Sequence, residues 1–147
     1  MVLDFGIFNN KTDLFPRRKA SFITIPTTAW KATNWDKDVD VYETRVVARA
    51  DNASLVAPVI LPDGATVTSY ILYGSNGVKE YSMFRSLITN GSSVGMGQVA
   101  LNTPVTSVAN AFIDNEKYYY SIKASNVDTG EEIYGAKIFF TLLEVDE

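Results

Sequence analysis

The sequence predicts an all-β fold, a β-sandwich of jelly-roll type with about eight or nine antiparallel strands. Two observations carry this prediction. Short segments rich in β-branched and aromatic residues recur along the chain, separated by turn signals at intervals of roughly 8–15 residues. No segment combines a helical hydrophobic period with a capping residue.

The strongest strand signal lies in residues 66–73, TVTSYILY, which are almost all β-branched or aromatic. The preceding residues 61–64, Leu-Pro-Asp-Gly, predict a turn, because proline fixes φ and glycine accepts a positive φ. The pair Asn76-Gly77 predicts a hairpin whose return strand covers residues 78–87.

Residues 27–37 are expected to form a loop or a short turn, because Thr and Asn are poor helix formers. The remaining strands have weaker signals. Residues 128–130, Asp-Thr-Gly, predict a second hairpin that joins the last two strands. The further strands are expected at residues 22–25, 39–50, 94–101, 105–112, 117–124 and 132–143.

The chain length fits one domain, which we place at residues 20–147, preceded by an N-terminal arm of residues 1–19. The arm mixes aromatic residues such as Phe5 and Phe8 with a basic cluster. It would dock through its aromatic side chains, either on its own domain or on a neighbouring subunit.

Cysteine and histidine are both absent from the 147 residues. Their absence excludes disulfides, thiolate nucleophiles, thiolate zinc sites and a Ser-His-Asp triad. The sequence therefore predicts no catalytic residue and no enzyme. A carboxylate-based hydrolase is a distant alternative, because it needs two acidic side chains across a cleft. Its candidate carboxylates are Asp114, Asp128, Glu131 and Glu132.

The charge balance, 13 basic against 17 acidic residues, argues against nucleic-acid binding, which favours a net positive domain. The longest nearly apolar run, residues 55–61, is much shorter than the ~20 residues that span a bilayer, so no membrane insertion is predicted. The first residues lack the pattern of a signal peptide, and an extracellular or virion-surface location is the favoured prediction.

Three alternating acidic residues, Asp36, Asp38 and Asp40, are the only candidate metal ligands. Carboxylates two residues apart in a loop can converge on a hard cation, so calcium is the one cofactor considered. The alternative is a solvated acidic loop, which is the commoner outcome, and Lys37 within the triplet favours it.

The two tryptophans, Trp30 and Trp35, offer flat apolar rings on which a sugar ring can stack. Aromatic residues are also the usual large side chains of a sandwich core. A glycan platform and a core role therefore both stay open.

Several predicted strands are apolar or aromatic at consecutive positions, whereas the outward residues of a sandwich strand are normally polar. This pattern predicts that something covers the outer faces, either the N-terminal arm or a neighbouring subunit. We expect a homo-oligomer, in particular a homotrimer. The predicted interface residues are Tyr70, Leu72, Tyr119 and Phe139.

Four segments together carry a family resemblance: SFITIP at residues 21–26, LPDGATVT at 61–68, IDN at 113–115 and the closing YGAKI at 134–138. Over residues 21–142 the chain resembles a group of short uncharacterised, apparently secreted β-rich domains in bacterial and environmental sequences. The resemblance implies a β fold and transfers no catalytic residue.

From the sequence, the leading functional prediction is a non-catalytic, self-associating subunit of a virion or an extracellular assembly. The alternative prediction is a carbohydrate-binding module, with carbohydrate as its partner and calcium as its support.

Overall fold

The computed structural model describes residues 17–33 and 39–143, which form ten β-strands and one short 3₁₀ turn at Thr27–Ala29. The strands are β1 (Arg18–Ile25), β2 (Lys31–Ala32), β3 (Val39–Val41), β4 (Val46–Ala48), β5 (Ala53–Val59), β6 (Thr66–Gly74), β7 (Glu80–Leu87), β8 (Ser93–Ala100), β9 (Tyr118–Val127) and β10 (Glu132–Leu143).

Two five-stranded antiparallel sheets make up the sandwich, so the predicted fold class is confirmed. In the first sheet, sheet A, the central strand β10 pairs with β6 on one side and with β1 and β4 on the other, and β3 pairs with β4. The second sheet, sheet B, has the order β2-β5-β9-β7-β8.

The core lies between the sheets and is built from the inward residues of each strand. Strand β10 shows the alternation clearly: Ile133, Ala136, Ile138 and Phe140 are buried against sheet B. Removing such apolar surface from water is the main stabilising contribution to a sandwich of this size.

Local sequence signals determine where several strands end. Strand β1 stops at Ile25 because Pro26 follows and cannot donate a backbone hydrogen bond. The predicted turn before β6 is confirmed, since Ala65 N donates to Pro62 O at 3.1 Å and Gly64 has a φ of 87°. The predicted strand at residues 39–50 is two short strands with a tight turn between them.

Both predicted hairpins are wrong. The turn at Asn76-Gly77 leads from β6 in sheet A to β7 in sheet B, and the turn at residues 128–130 leads from β9 in sheet B to β10 in sheet A. Each connection therefore crosses from one sheet to the other instead of joining neighbouring strands.

The expected strand at residues 105–112 is also absent. These residues run along the free edge of β6 and make two isolated bridges to it, Val105 with Tyr70 and Phe112 with Thr66. Tyr70 N and Val105 N each donate to the other residue's carbonyl oxygen, at 3.1 and 2.8 Å. The segment thus covers an edge that would otherwise present unpaired backbone groups.

The boundary of the N-terminal arm differs from the prediction. Arg18 and Lys19 belong to β1, where they pair with Leu143 and Leu142. Residues 1–16 of the predicted arm lie outside the described residues. Within the described ranges, the structure has no helix with the length and hydrophobicity needed to cross a membrane.

Candidate ligand-binding face

The outer face of sheet A carries aromatic side chains on its three long strands, β1, β10 and β6. Tyr134, Lys137 and Phe139 point outward from β10, since Ile133, Ala136 and Ile138 are buried in the core. Phe22 lies opposite Phe139 on β1, and Tyr73 lies opposite Gly135 on β6. We call this surface, defined by Phe22, Tyr73, Tyr134, Lys137 and Phe139, the aromatic face.

A β-bulge places Tyr134 on this face. The pairing of β10 with β6 shifts between Ile133 and Gly135, so that one extra residue is accommodated in β10. The extra residue lets Ile133 and Ala136 both stay buried while Tyr134 points outward. Tyr73 and Tyr134 are 42% and 41% exposed, which leaves part of each ring available for contact.

These two tyrosines line a cleft of about 330 Å³ at one end of the aromatic face. We call it the tyrosine cleft. Gly135 and Ala136 on β10 contribute backbone to it, and the end of β1 with the turn that follows lines it from one side. The turn between β3 and β4 adds Glu43 and Thr44. The remaining lining residues are Thr24, Ile25, Pro26, Thr27 and Lys137.

A buried threonine fixes the turn that carries Glu43. Thr27 is buried, and its hydroxyl donates a hydrogen bond to the carbonyl oxygen of Tyr42 at 2.6 Å. The carbonyl oxygen of Glu43 also lies within hydrogen-bond distance of this hydroxyl, at 3.0 Å. Tyr42 N in turn donates to Arg45 O at 2.8 Å, which closes the turn. The position of Glu43 beside the cleft therefore depends on the segment that follows β1.

Gly135 keeps the cleft open. A Cβ atom at this position would lie 3.4 Å from the carbonyl oxygen of Ile25, at the limit of ordinary contact. A side chain at this position would therefore begin beside the end of β1, which is one wall of the cleft. The absence of a side chain here leaves room for a ligand group against the backbone.

Two charged groups, Glu132 and Arg45, act on Tyr134. The Glu132 carboxylate, as an acceptor for the Tyr134 hydroxyl, together with burial raises the pKa of Tyr134 above its ordinary value. Glu132 also forms an ion pair with Arg45 at 3.5 Å, and the Arg45 guanidinium lies 4.6 Å from the centre of the Tyr42 ring.

The aromatic face continues beyond the cleft. Phe22 is 51% exposed, and its ring centre lies 5.7 Å from that of Phe139, with the two planes tilted by 40°. The Lys137 ammonium is 5.0 Å from the centre of the Phe22 ring. From Gly135 to Thr141 the strand extends about 20 Å, at about 3.4 Å per residue, so the face is longer than a single sugar ring.

Arg18 ends the face on the side away from the cleft. Its Nε donates to the Thr141 hydroxyl at 2.7 Å, and one terminal nitrogen lies 3.1 Å from the Thr66 hydroxyl and 3.0 Å from Thr141 O. Thr141 and Thr66 are paired across β10 and β6. These contacts hold the guanidinium flat along the sheet.

The predicted glycan platform is not where the sequence placed it. Trp30 is 2% exposed and belongs to the core, so its ring face is not available to a sugar. Its indole N–H is buried and has no hydrogen-bond partner among the described residues. Trp35 lies outside the described residues.

The predicted calcium triplet is described only in part, because Asp36 and Asp38 fall in the segment 34–38. Asp40 is paired with Arg49, whose nitrogen lies 2.6 Å from the Asp40 carboxylate, and the Tyr42 hydroxyl lies 3.4 Å from it. Among residues 17–33 and 39–143, no group of three or more acidic side chains is arranged to hold a metal ion.

The four predicted interface residues do not share a surface. Tyr70 and Leu72 are fully buried in the core, and it is Ile71 and Tyr73 that point outward from β6. Tyr119 is 53% exposed but lies on sheet B, while Phe139 is half-buried beside Phe22 on sheet A. The prediction is wrong for Tyr70 and Leu72, because strand alternation directs them inward.

The candidate hydrolase carboxylates belong to separate networks. Lys79 contacts Asp128 at 2.9 Å and Glu131 at 3.8 Å, which makes that pair part of an ion cluster. Glu132 pairs with Arg45, and Asp114 accepts a hydrogen bond from Glu116 N at 3.1 Å.

No family model and no curated protein matches the chain. Similar solved structures include carbohydrate-binding modules of three families. One is the C-terminal family 6 module of a marine laminarinase from Zobellia galactanivorans, with 14% identity, 80% of this chain and 98% of that chain covered, and a TM-score of 0.49. Another is a family 29 module from Piromyces equi, with 9% identity, 84% and 91% covered, and a TM-score of 0.47. A third is the xylan-binding domain of family 22, with 10% identity, 85% and 96% covered, and a TM-score of 0.43.

The leading functional prediction, a self-associating assembly subunit, is corrected. Tyr70 and Leu72, two of the four residues meant to form the subunit interface, are buried in the chain's own core.

Sequence reasoning missed the residues of the tyrosine cleft. Strand alternation within residues 66–73 was a usable signal for Tyr73, because either Tyr70 with Leu72 or Ile71 with Tyr73 had to face outward. Tyr134 had no comparable signal, since a bulge that depends on pairing with β6 determines its direction.

Proposed function

We propose that this protein is a non-catalytic carbohydrate-binding domain that holds a polysaccharide in the tyrosine cleft and along the aromatic face. The observation that carries the proposal is the pair of half-exposed tyrosines, Tyr73 and Tyr134, lining one cleft with polar side chains around them.

The chemistry of the cleft suits a sugar. Pyranose rings present C–H groups on their faces and hydroxyl groups on their edges. Exposed tyrosine rings offer a negative π face to the C–H groups. Thr24, Thr44 and Glu43 offer oxygen acceptors at the rim, and Lys137 offers donors. An apolar surface with a few convergent polar groups is the usual composition of a small-ligand site.

The shape of the site favours an extended chain. The cleft opens onto the aromatic face, and Phe22 and Phe139 continue the apolar contact surface past Lys137. A bound polysaccharide would run along the strands of sheet A, with one sugar in the tyrosine cleft and the next ones over the phenylalanine pair.

The number of carboxylates in the cleft favours a binding role over hydrolysis. Of the described residues that line the cleft, Glu43 is the only one with a carboxylate. Glycoside hydrolysis ordinarily needs two carboxyl groups on opposite sides of the scissile bond.

We place the protein's action outside the cell, where polysaccharides are exposed.

The test is a binding measurement on single-residue variants. Affinity electrophoresis against a panel of soluble polysaccharides identifies ligands, and calorimetry then measures the affinity of Tyr73→Ala and Tyr134→Ala. We expect each substitution to weaken binding about tenfold or more, because each removes an aromatic contact of about 1–2 kcal/mol together with its buried area.

Tyr119→Ala is the matched control, because Tyr119 is similarly exposed but lies on sheet B. It should bind like the unaltered protein. If no polysaccharide in the panel binds, or if Tyr119→Ala loses binding while Tyr73→Ala and Tyr134→Ala keep it, the proposal is wrong.

A further inference from the structure

We infer that the aromatic face selects anionic polysaccharides, whose sugar rings carry carboxylate or sulfate groups. This inference rests on the proposed function, and it adds a substrate class to the same site. It comes from two cations placed along the face, Lys137 and Arg18.

Lys137 occupies the centre of the binding surface. It lines the tyrosine cleft, and its ammonium group is 5.0 Å from the centre of the Phe22 ring, which forms the next part of the face. A ligand that contacts both the tyrosines and the phenylalanines must pass directly beside this charge. The Phe22 ring keeps the ammonium close to the sheet instead of letting it extend into solvent.

Arg18 supplies the second cation at the far end. Its hydrogen bonds to Thr141 and Thr66 use Nε and one terminal nitrogen, so the other terminal nitrogen has no partner among the described residues and can bind a ligand. Along β1, Arg18 lies six residues before Thr24, which faces Lys137, so the backbone positions of the two residues are about 20 Å apart at about 3.4 Å per residue.

Neither cation is neutralised within the described ranges. No carboxylate of residues 17–33 or 39–143 lies within 4.0 Å of the Lys137 or the Arg18 charge. By contrast, Lys79, Arg45 and Arg49 are all paired with acidic side chains. Unpaired cations on an aromatic surface are complementary to a ligand that carries negative charge at intervals.

Among the described residues, Glu43 is the one acidic side chain that lines the cleft, and it lies on the turn between β3 and β4. It suits a neutral sugar whose hydroxyl groups donate to it. The net charge of −4 opposes anions only weakly at physiological salt, where the Debye length is about 8 Å. An anionic ligand group in contact with Lys137 lies well within that distance, so the attraction to the ammonium is only weakly screened.

The experiment compares polymers that differ only in charge. Polygalacturonic acid and its fully methyl-esterified form have the same backbone, and dextran sulfate and dextran form the corresponding sulfate pair. We expect the unaltered protein to bind the charged member of at least one pair about tenfold more tightly, since a charge-assisted contact replaces a neutral one. The pair that shows the preference identifies the anionic group.

Lys137→Met should abolish the preference, so that the charged and the neutral member of the pair bind with the same affinity. Lys31→Met is the matched control, because it changes the net charge equally and Lys31 is exposed on β2 of sheet B. The control should keep the preference.

Equal binding to charged and neutral members of both pairs, with both sensitive to Tyr134→Ala, overturns this inference and leaves the proposed function standing. Loss of the preference in Lys31→Met as well as in Lys137→Met also overturns it, since net charge would then be the cause. Absence of binding to any polysaccharide overturns both proposals.

Discussion

The hydroxyl of Tyr70 on β6 donates a hydrogen bond to the backbone carbonyl of Gly97 on β8, and this bond joins the two sheets through the core. The same oxygen accepts a hydrogen bond from Met83 N at 3.3 Å. The pairing of β7 with β8 shifts just after Met83 and Gly97, so the two backbone groups lie where the regular pattern is broken. One side chain from sheet A thus satisfies two buried backbone groups of sheet B.

The first prediction follows from this contact. Tyr70→Phe should lower the free energy of unfolding by about 2–4 kcal/mol, because a buried backbone group left without a partner costs about 1–3 kcal/mol. Urea denaturation followed by circular dichroism measures the change. Tyr73→Phe is the control, since its ring faces solvent, and should change stability by no more than about 0.5 kcal/mol. Equal stability of both variants would contradict the role assigned to Tyr70.

A second prediction concerns alkaline pH. Burial raises the pKa of Tyr70 and of Tyr81 above the model-compound value of 10.0. The folded state therefore favours the neutral phenols, and this contribution to stability is complete below pH 10.0 and is lost as the pH rises through the folded-state pKa values.

Urea midpoints measured from pH 9 upward should show this loss, and Tyr81→Phe should show a shallower decline than the unaltered protein. The substitution also removes the contact between Tyr81 Oη and Thr103 O at 2.6 Å, so the comparison must use slopes with pH and not absolute stabilities. Identical slopes would show that Tyr81 does not contribute.

The third prediction tests the surroundings of Tyr134 in the cleft. Its hydrogen bond to the Glu132 carboxylate is the largest cause of its raised pKa, and the negative charge of Glu132 adds to the effect. Glu132→Gln should shift the pKa of Tyr134 down toward its ordinary value. Carbon-13 NMR of labelled tyrosine rings follows each phenol separately, with assignment by Tyr134→Phe. An unchanged pKa in Glu132→Gln would show that the hydrogen bond does not form in solution.

The fourth prediction concerns the ion cluster around Lys79. The hydrogen bond from Lys79 is the largest cause that lowers the pKa of Asp128 below its ordinary value of 3.8. Because the pKa of Asp128 is lower in the folded state than in the unfolded state, this carboxylate stabilises the protein fully at pH values above its unfolded-state pKa. The contribution disappears as the pH falls through the folded-state pKa.

Thermal melts from pH 6 to pH 2 should therefore show a steeper acid loss for the unaltered protein than for Lys79→Met. Lys117→Met is a suitable control, since no ion pair of Lys117 is present within the described ranges. If Lys79→Met and the unaltered protein lose stability in parallel, Asp128 does not depend on Lys79.

The sequence was sufficient for the fold class because the relevant signals are local. Proline ends β1 after Ile25, and Pro62 with Gly64 forms the turn before β6. The turn at Asn76 also forms, since Lys79 N donates to Asn76 O at 3.2 Å. What the turn does not determine is the partner of the next strand, because β7 pairs with residues far away in the sequence.

The candidate site was harder to predict for two physical reasons. Tyr70, Ile71, Leu72 and Tyr73 are all apolar or aromatic, so hydrophobicity did not distinguish the inward pair from the outward pair. Trp30 was ambiguous for the same reason, since a large ring serves a core as well as a surface. The direction of Tyr134 depends on a bulge, which only the pairing of two distant strands produces.

The pairing of β1 with β10 also bears on when the protein becomes able to bind. Thr24 and Lys137 face each other across these strands, although they come from opposite ends of the described chain. Closing so long a loop is entropically costly, and contacts of high sequence separation slow folding. The tyrosine cleft needs β1 for one side and β10 for its backbone floor, so a folding intermediate that lacks this pairing has no complete site. Ligand binding would then report that the first and last strands have met, and a bound polysaccharide would hold them together.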